Sequence, residues 1–83
     1  MDVFIKKVAD KKLRSLPPKL EQSIREAINK IAEDPERTDL DIRPLSGQPG
    51  YRLRVGGWRI LYVLEETGLT VKVVASRGSA YKA

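Results

Sequence analysis

The 83-residue chain contains no cysteine and no histidine. The first absence excludes disulfides and thiolate chemistry, and the two together remove the usual zinc-ligand set. Losing histidine also removes the side chain that most often moves protons near neutral pH. No apolar run reaches the length of a signal-peptide core or a membrane span, so no membrane association is expected, and the cysteine-free composition fits the cytoplasm. Aromatics are scarce too, at one tryptophan, one phenylalanine and three tyrosines. A chain this short, without crosslinks or a metal framework, has to be held together by packing one small core, and residues 1–83 are expected to form a single domain.

Charge, by contrast, is plentiful and uneven. The net charge is +5. Residues 1–40 contribute only +1, with nine Lys/Arg against eight Asp/Glu, whereas residues 41–83 contribute +4, with seven against three. The second segment is therefore the expected anion-binding surface, with nucleic acid the commonest partner for such a surface. The alternative is a basic face that serves solubility alone.

Within that segment, the stretch from Tyr51 to Tyr62 has the pattern of a β-hairpin. Gly56 and Gly57 read as a primed two-residue turn with positive φ at both positions. The pairing that follows sets Val55 opposite Trp58, Arg54 opposite Arg59, Leu53 opposite Ile60, Arg52 opposite Leu61 and Tyr51 opposite Tyr62. Alternation then sends Tyr51, Leu53, Val55, Trp58, Ile60 and Tyr62 to one face and Arg52, Arg54, Arg59 and Leu61 to the other. The aromatics share their phase with Leu53 and Ile60, which assigns them to the core rather than to base stacking. Like charges directly opposite on a sheet repel, so Arg54 against Arg59 is poorly explained by folding and calls for an anion.

The rest of the chain supplies the surroundings. Val3, Phe4 and Ile5 read as a first strand. Ala9, Leu13 and Leu16 follow at helical spacing up to Pro17, and a second helix from Pro18 or Lys19 carries the stripe Leu20, Ile24, Ala27, Ile28 and Ile31, ending before Pro35. Asp34 to Gly50 reads mainly as a connection tacked down by Leu40, Ile42 and Leu45, with room for a short strand. A last strand spans about Leu69 to Ser76. With Glu65 to Gly68 as the loop, Leu64 opposes Leu69, Tyr62 opposes Val71, Ile60 opposes Val73 and Trp58 opposes Ala75 on the core face. Val63 with Thr70, Leu61 with Lys72 and Arg59 with Val74 fall on the other. The helices can cover one face of this meander, leaving Arg52, Arg54, Arg59 and Lys72, with Arg77 as a further candidate, among Leu61, Val63 and Val74 on an open face, unless the Asp34 to Gly50 loop folds over it.

The order strand, two helices, meander, together with Pro44-Leu45-Ser46-Gly47, Gly50-Tyr51-Arg52-Leu53-Arg54-Val55-Gly56, Trp58-Arg59-Ile60-Leu61-Tyr62 and Ser76-Arg77-Gly78-Ser79-Ala80-Tyr81-Lys82, resembles the RelE-like toxins of the RelE/ParE toxin–antitoxin superfamily. The likeness covers essentially the whole chain and is most specific over residues 45–82. It implies an α+β fold of order β-α-α-β-β-β, a helical hairpin packed on one face of a small antiparallel-rich sheet, whose basic face is the active surface. Members of the ribonuclease branch cleave messenger RNA in the ribosomal decoding site and are held off by a cognate antitoxin. The resemblance thus implies those two partners, a higher-order toxin–antitoxin complex as a further expectation, and no metal or other cofactor. It places catalytic roles on Arg59, Arg77 and Tyr81 and RNA-binding roles on Arg52 and Arg54, to which the basic neighbours Lys72 and Lys82 are added.

Cleavage by the RNA's own 2′-hydroxyl needs a proton acceptor, charge stabilisation at phosphorus and a proton for the leaving oxygen. Guanidinium groups suit the second task, so Arg59 and Arg77 are the phosphate-stabilising candidates. Tyr81 is a candidate base if cations lower its pKa, or a stacking partner for a base. Relatives carry lysines where Arg52 and Arg54 stand, and arginine is a poor base because its pKa exceeds about 12. Two other readings stand beside the nuclease: a ParE-like inhibitor of DNA gyrase, and a catalytically inert module that binds antitoxin or nucleic acid.

Overall fold

In the computed structural model, which describes residues 1–76, the order of elements is β1 (Val3–Ile5), α1 (Lys7–Arg14), α2 (Pro18–Glu33), β2 (Ile42–Pro44), β3 (Tyr51–Val55), β4 (Trp58–Glu65) and β5 (Gly68–Ser76). The five strands form one sheet in the order β1-β5-β4-β3-β2. All neighbours are antiparallel except β1, which runs parallel to β5 at one edge. This is the expected α+β architecture with one strand more: the short strand allowed for in the Asp34 to Gly50 connection forms as β2 and extends the sheet beyond β3.

The helices arise where the sequence places them. Pro18 opens α2, where a missing N–H costs nothing, and Pro17 ends the preceding turn. Ala9, Leu13 and Leu16 face Ile24, Ala27, Ile28 and Ile31 in one core cluster. The opposite side of the helical pair is tied by charge: Arg25 donates to Asp10 across the two helices at 2.8 Å and to Glu21 within α2 at 2.9 Å. Leu53, Ile60, Tyr62, Leu69 and Val71 complete the core from the sheet, with Tyr51, Val55, Trp58 and Leu64 half-buried around them. Truncating a fully buried member such as Ile24 or Ile28 to alanine costs about 2–5 kcal/mol in cores of this kind.

The β3–β4 register is the one read from the sequence, residue for residue. Its turn differs. Only Gly56 has positive φ, at 59°, and Gly57 does not, which is the pattern of a II′ rather than a I′ turn.

The β4–β5 register agrees from Leu64 opposite Leu69 through Tyr62 opposite Val71, then shifts by one residue between Leu61 and Tyr62. Beyond the shift Leu61 faces Val73, Ile60 faces Val74, Arg59 faces Ala75 and Trp58 faces Ser76. Lys72 is the extra residue of this β-bulge. The expected core positions of Val73 and Ala75 are thereby overturned, as is the open-face position of Val74. Val74 joins the core at 6% exposure, while Val73 turns to the outer face at 37%. The physical reason is the period of two along a strand: one inserted residue sends every later side chain to the other face.

Candidate nucleic-acid interface and active site

The outer face of the sheet, away from the helices, is organised in rows across the strands. One row runs from Arg54 on β3 to Arg59 on β4 and Ala75 on β5. It is continued on the other side by Asp41, whose carbonyl accepts the Arg54 N–H at 2.9 Å. The next row runs Arg43, Arg52, Leu61, Val73, so a second pair of arginines stands directly opposed across β2 and β3. Arg43 was missed by sequence reasoning. The signal was present in Ile42, whose core phase sends its neighbour outward, but only the pairing of β2 with β3 shows that neighbour to face Arg52.

Arg59 is the most confined of these cations. It is 9% exposed, and its Nε is buried without a hydrogen-bond acceptor among the described residues. No carboxylate lies within ion-pair distance of it among those residues. With Arg54, Gly56 and Gly57 it lines a pocket of about 160 Å³ at the hairpin end of the face. A buried donor without an acceptor costs about 1–3 kcal/mol, so folding alone gives no reason to keep it there.

Arg52 and Arg54 are different. Arg52 Nη2 donates to Asp41 Oδ1 at 2.7 Å, and Arg54 Nε lies 3.4 Å from Asp41 Oδ2. The carboxylate of Asp41 thus bridges two arginines, so part of the anion that Arg54 calls for is supplied from within the chain. Asp41 stands just before β2 in the segment read as a connection, and its reach to β3 depends on β2 joining the sheet. Arg52 retains a buried Nε with no acceptor among the described residues, in a side chain only 12% exposed, whereas half of Arg54 is open to solvent.

Lys72 is exposed at the bulge, on the same side as Val73. The face is partly covered at its far end, where Leu45, Gln48 and Pro49 curl beside Leu61 and Val63. Gly50 makes this turn possible: its φ is 118°, and a Cβ there would stand 2.8 Å from the Tyr62 carbonyl oxygen. Leu61 is consequently buried, and of the cations expected on the open face Arg54 and Lys72 are exposed there, whereas Arg59 and most of Arg52 are buried. Arg77, Tyr81 and Lys82 lie outside the described residues.

A protein-family model described as the ParE toxin of the type II toxin–antitoxin system, parDE, matches residues 3–79. The chain belongs to the RelE/ParE toxin superfamily. Solved structures agree. The chain is similar to that of a RelB–RelE antitoxin–toxin complex from Methanococcus jannaschii, with a TM-score of 0.77 and 25% identity, covering 94% of each chain. It is similar also to an archaeal RelE–RelB complex from Pyrococcus horikoshii OT3, at 0.76 and 26%, covering 93% of this chain and 94% of that one. The isolated RelE toxin of E. coli shares the fold, with a TM-score of 0.73 at 20% identity over 95% of this chain and 88% of that one. A search of curated protein sequences gives no significant match. The arginine rows of this type II toxin therefore sit on a RelE-type sheet, and no helix among its described residues is long and apolar enough to cross a membrane.

Proposed function

We propose that this toxin is a ribosome-dependent mRNA endonuclease that inhibits translation, using the 2′-hydroxyl of its substrate as nucleophile and no metal. The observation that carries the proposal is Arg59: a buried side chain on the sheet's outer face, opposed to Arg54, whose Nε has no acceptor among the described residues. Such an arrangement is stabilised when a phosphate enters, because planar guanidinium groups bind phosphate oxygens at two points and attract charge developing at phosphorus. Arg59 is cast as the transition-state donor, with Arg54 and Arg52 positioning the phosphate chain. Arg77, Tyr81 and Lys82 are assigned to the same site on the family resemblance, Arg77 as a second phosphate donor and Tyr81 as proton acceptor or stacking partner. Lys72 at the bulge adds a cation for the strand as it leaves.

The cognate partner proposed is an acidic antitoxin segment, disordered in part when free. Binding across the arginine rows would pair its carboxylates with Arg43, Arg54 and Arg59, and ordering on binding lets a short chain wrap a large area. The similar archaeal toxins were solved with RelB bound, which supports this reading.

Inhibition of DNA gyrase is the second reading, favoured by the ParE description of the matching family model. Incubation with programmed ribosomes and mapping of new 5′ ends separates the two. Cleavage within the decoding-site codon, lost in Arg59→Ala, is expected. Intact messenger together with inhibited supercoiling would replace the nuclease by the gyrase inhibitor.

A further inference from the structure

Three residues of the loop before β3 and four strand residues on the outer face enclose a pocket beside the arginines. Leu61, Val63 and Val73 form its floor, and Leu45 and Pro49 its wall. Gln48 and Lys72 complete its lining, and both are exposed. Its volume is about 100 Å³, and it opens to solvent on the same side as the arginines.

Its position relative to the cations is set by strand geometry. Leu61 lies two residues along β4 from Arg59, and side chains of the same face are spaced by about 6.8 Å. The pocket therefore begins one row from Arg59 and ends two rows away. A nucleotide whose phosphate rests between Arg54 and Arg59 carries its base one ribose away, at the distance of that next row.

The bulge completes the arrangement. In a regular strand Lys72 and Val73 would point to opposite faces, but the register shift turns both toward the pocket. Val73 supplies an apolar surface for the flat face of a ring, and Lys72 supplies charge for the flanking phosphate. The amide of Gln48 offers both a donor and an acceptor, the pair needed to read the edge of a base. An apolar cleft with one amide in its lining, flanked on one side by opposed arginines, is complementary to a nucleobase attached to a phosphate chain.

We infer that this pocket is a nucleobase subsite for single-stranded RNA, in which Leu61, Val63 and Val73 hold the base next to the phosphate on Arg59, and Gln48 sets which base is preferred. The inference rests on RNA lying along this face, as the proposed function requires. Its consequence is a sequence preference at one nucleotide, independent of the ribosome.

Short single-stranded RNA oligonucleotides in which one base at a time is removed, leaving ribose and phosphate, test the subsite by direct binding to the full chain. Removal at one position is expected to weaken binding by about tenfold, the scale found for a base lost from a stacking site. Removal elsewhere should have little effect. In Val73→Trp, which fills the cleft from an exposed position, the penalty at that position should vanish, with a thermal melt checking that the variant is folded. In Gln48→Ala, an exposed loop substitution, the penalty should remain while discrimination among the four bases at that position falls. A flat scan, a penalty unchanged by Val73→Trp, or no RNA binding at all would overturn the subsite. So would release of the acidic antitoxin by Val73→Trp alongside a flat scan, which would give the cleft to a partner's apolar side chain. Failure of the endonuclease reading looks different: the base-dependent binding persists while programmed ribosomes leave the messenger intact.

Discussion

Replacing Arg59 by methionine should make the protein more stable and nearly inactive at once. Arg59 is almost fully buried, its Nε has no acceptor among the described residues, and Arg54 is its cross-strand partner. An unsatisfied buried donor costs about 1–3 kcal/mol, and a like-charge pair directly opposed on a sheet costs up to roughly 1 kcal/mol more. Methionine keeps an unbranched stem against the neighbouring strands while removing both penalties. The expected gain is about 1–3 kcal/mol, and for a domain of this size each kcal/mol raises the melting temperature by about 4–8 °C. Cleavage should fall by at least a factor on the order of a hundred, corresponding to about 3 kcal/mol for one lost transition-state donor. Chemical denaturation and 5′-end mapping on programmed ribosomes, run on the same preparation, read the two effects separately. Their opposite signs are what matters. A variant that is inactive and less stable would make Arg59 a structural residue, and one that is more stable and fully active would remove it from the chemistry.

Three further outcomes follow from particular contacts. Asp41→Asn should raise RNA affinity by about threefold to tenfold and steepen its salt dependence, because the carboxylate competes with phosphate for Arg52 and Arg54, although partial exposure keeps that ion pair modest; weaker binding would show that Asp41 organises the arginines instead. Gly56→Ala should destabilise by about 1–2 kcal/mol because its φ is positive, whereas Gly57→Ala, with open space around its Cβ position, should be neutral or stabilising in denaturant titrations, and equal penalties would restore the I′ turn. Arg37 holds the Asp39 carboxyl down at about 2, and Arg25 lowers that of Asp10. Both depressed carboxyls contribute stability above their ordinary value of 3.8 and lose it as pH falls through the folded value, so the melting temperature should drop between about pH 4 and pH 2, and less so in Arg37→Ala. A melting temperature that is flat across that window would mean the ion pairs persist in the unfolded chain.

Local sequence patterns determined the elements of this protein and the faces of most of them. The helical stripes, the prolines that bound α2, and the alternation from Tyr51 to Tyr62 are properties of neighbours in the chain, and each is energetically settled within a turn or a hairpin. Opposition of Arg54 and Arg59 follows from that alternation as soon as a two-residue turn is placed, which is why the centre of the candidate site is legible in the amino-acid order itself. The β-bulge at Lys72 is not. It inserts one residue into a strand whose sequence, Leu69 to Ser76, contains valines on both sides of the insertion, so hydrophobicity fits either phase and only packing of Val74 against the helices selects one. The same limit applies to Asp41 and Arg43. Nothing near them in the chain says that Ile42–Pro44 would pair with β3, because that pairing is a contact between segments, stabilised by hydrogen bonds that exist only once the hairpin is in place. Sequence thus set the cationic pair, while tertiary structure decided its counter-charge, its second row of arginines and the cleft beside it, since those depend on strand order and register rather than on local pattern.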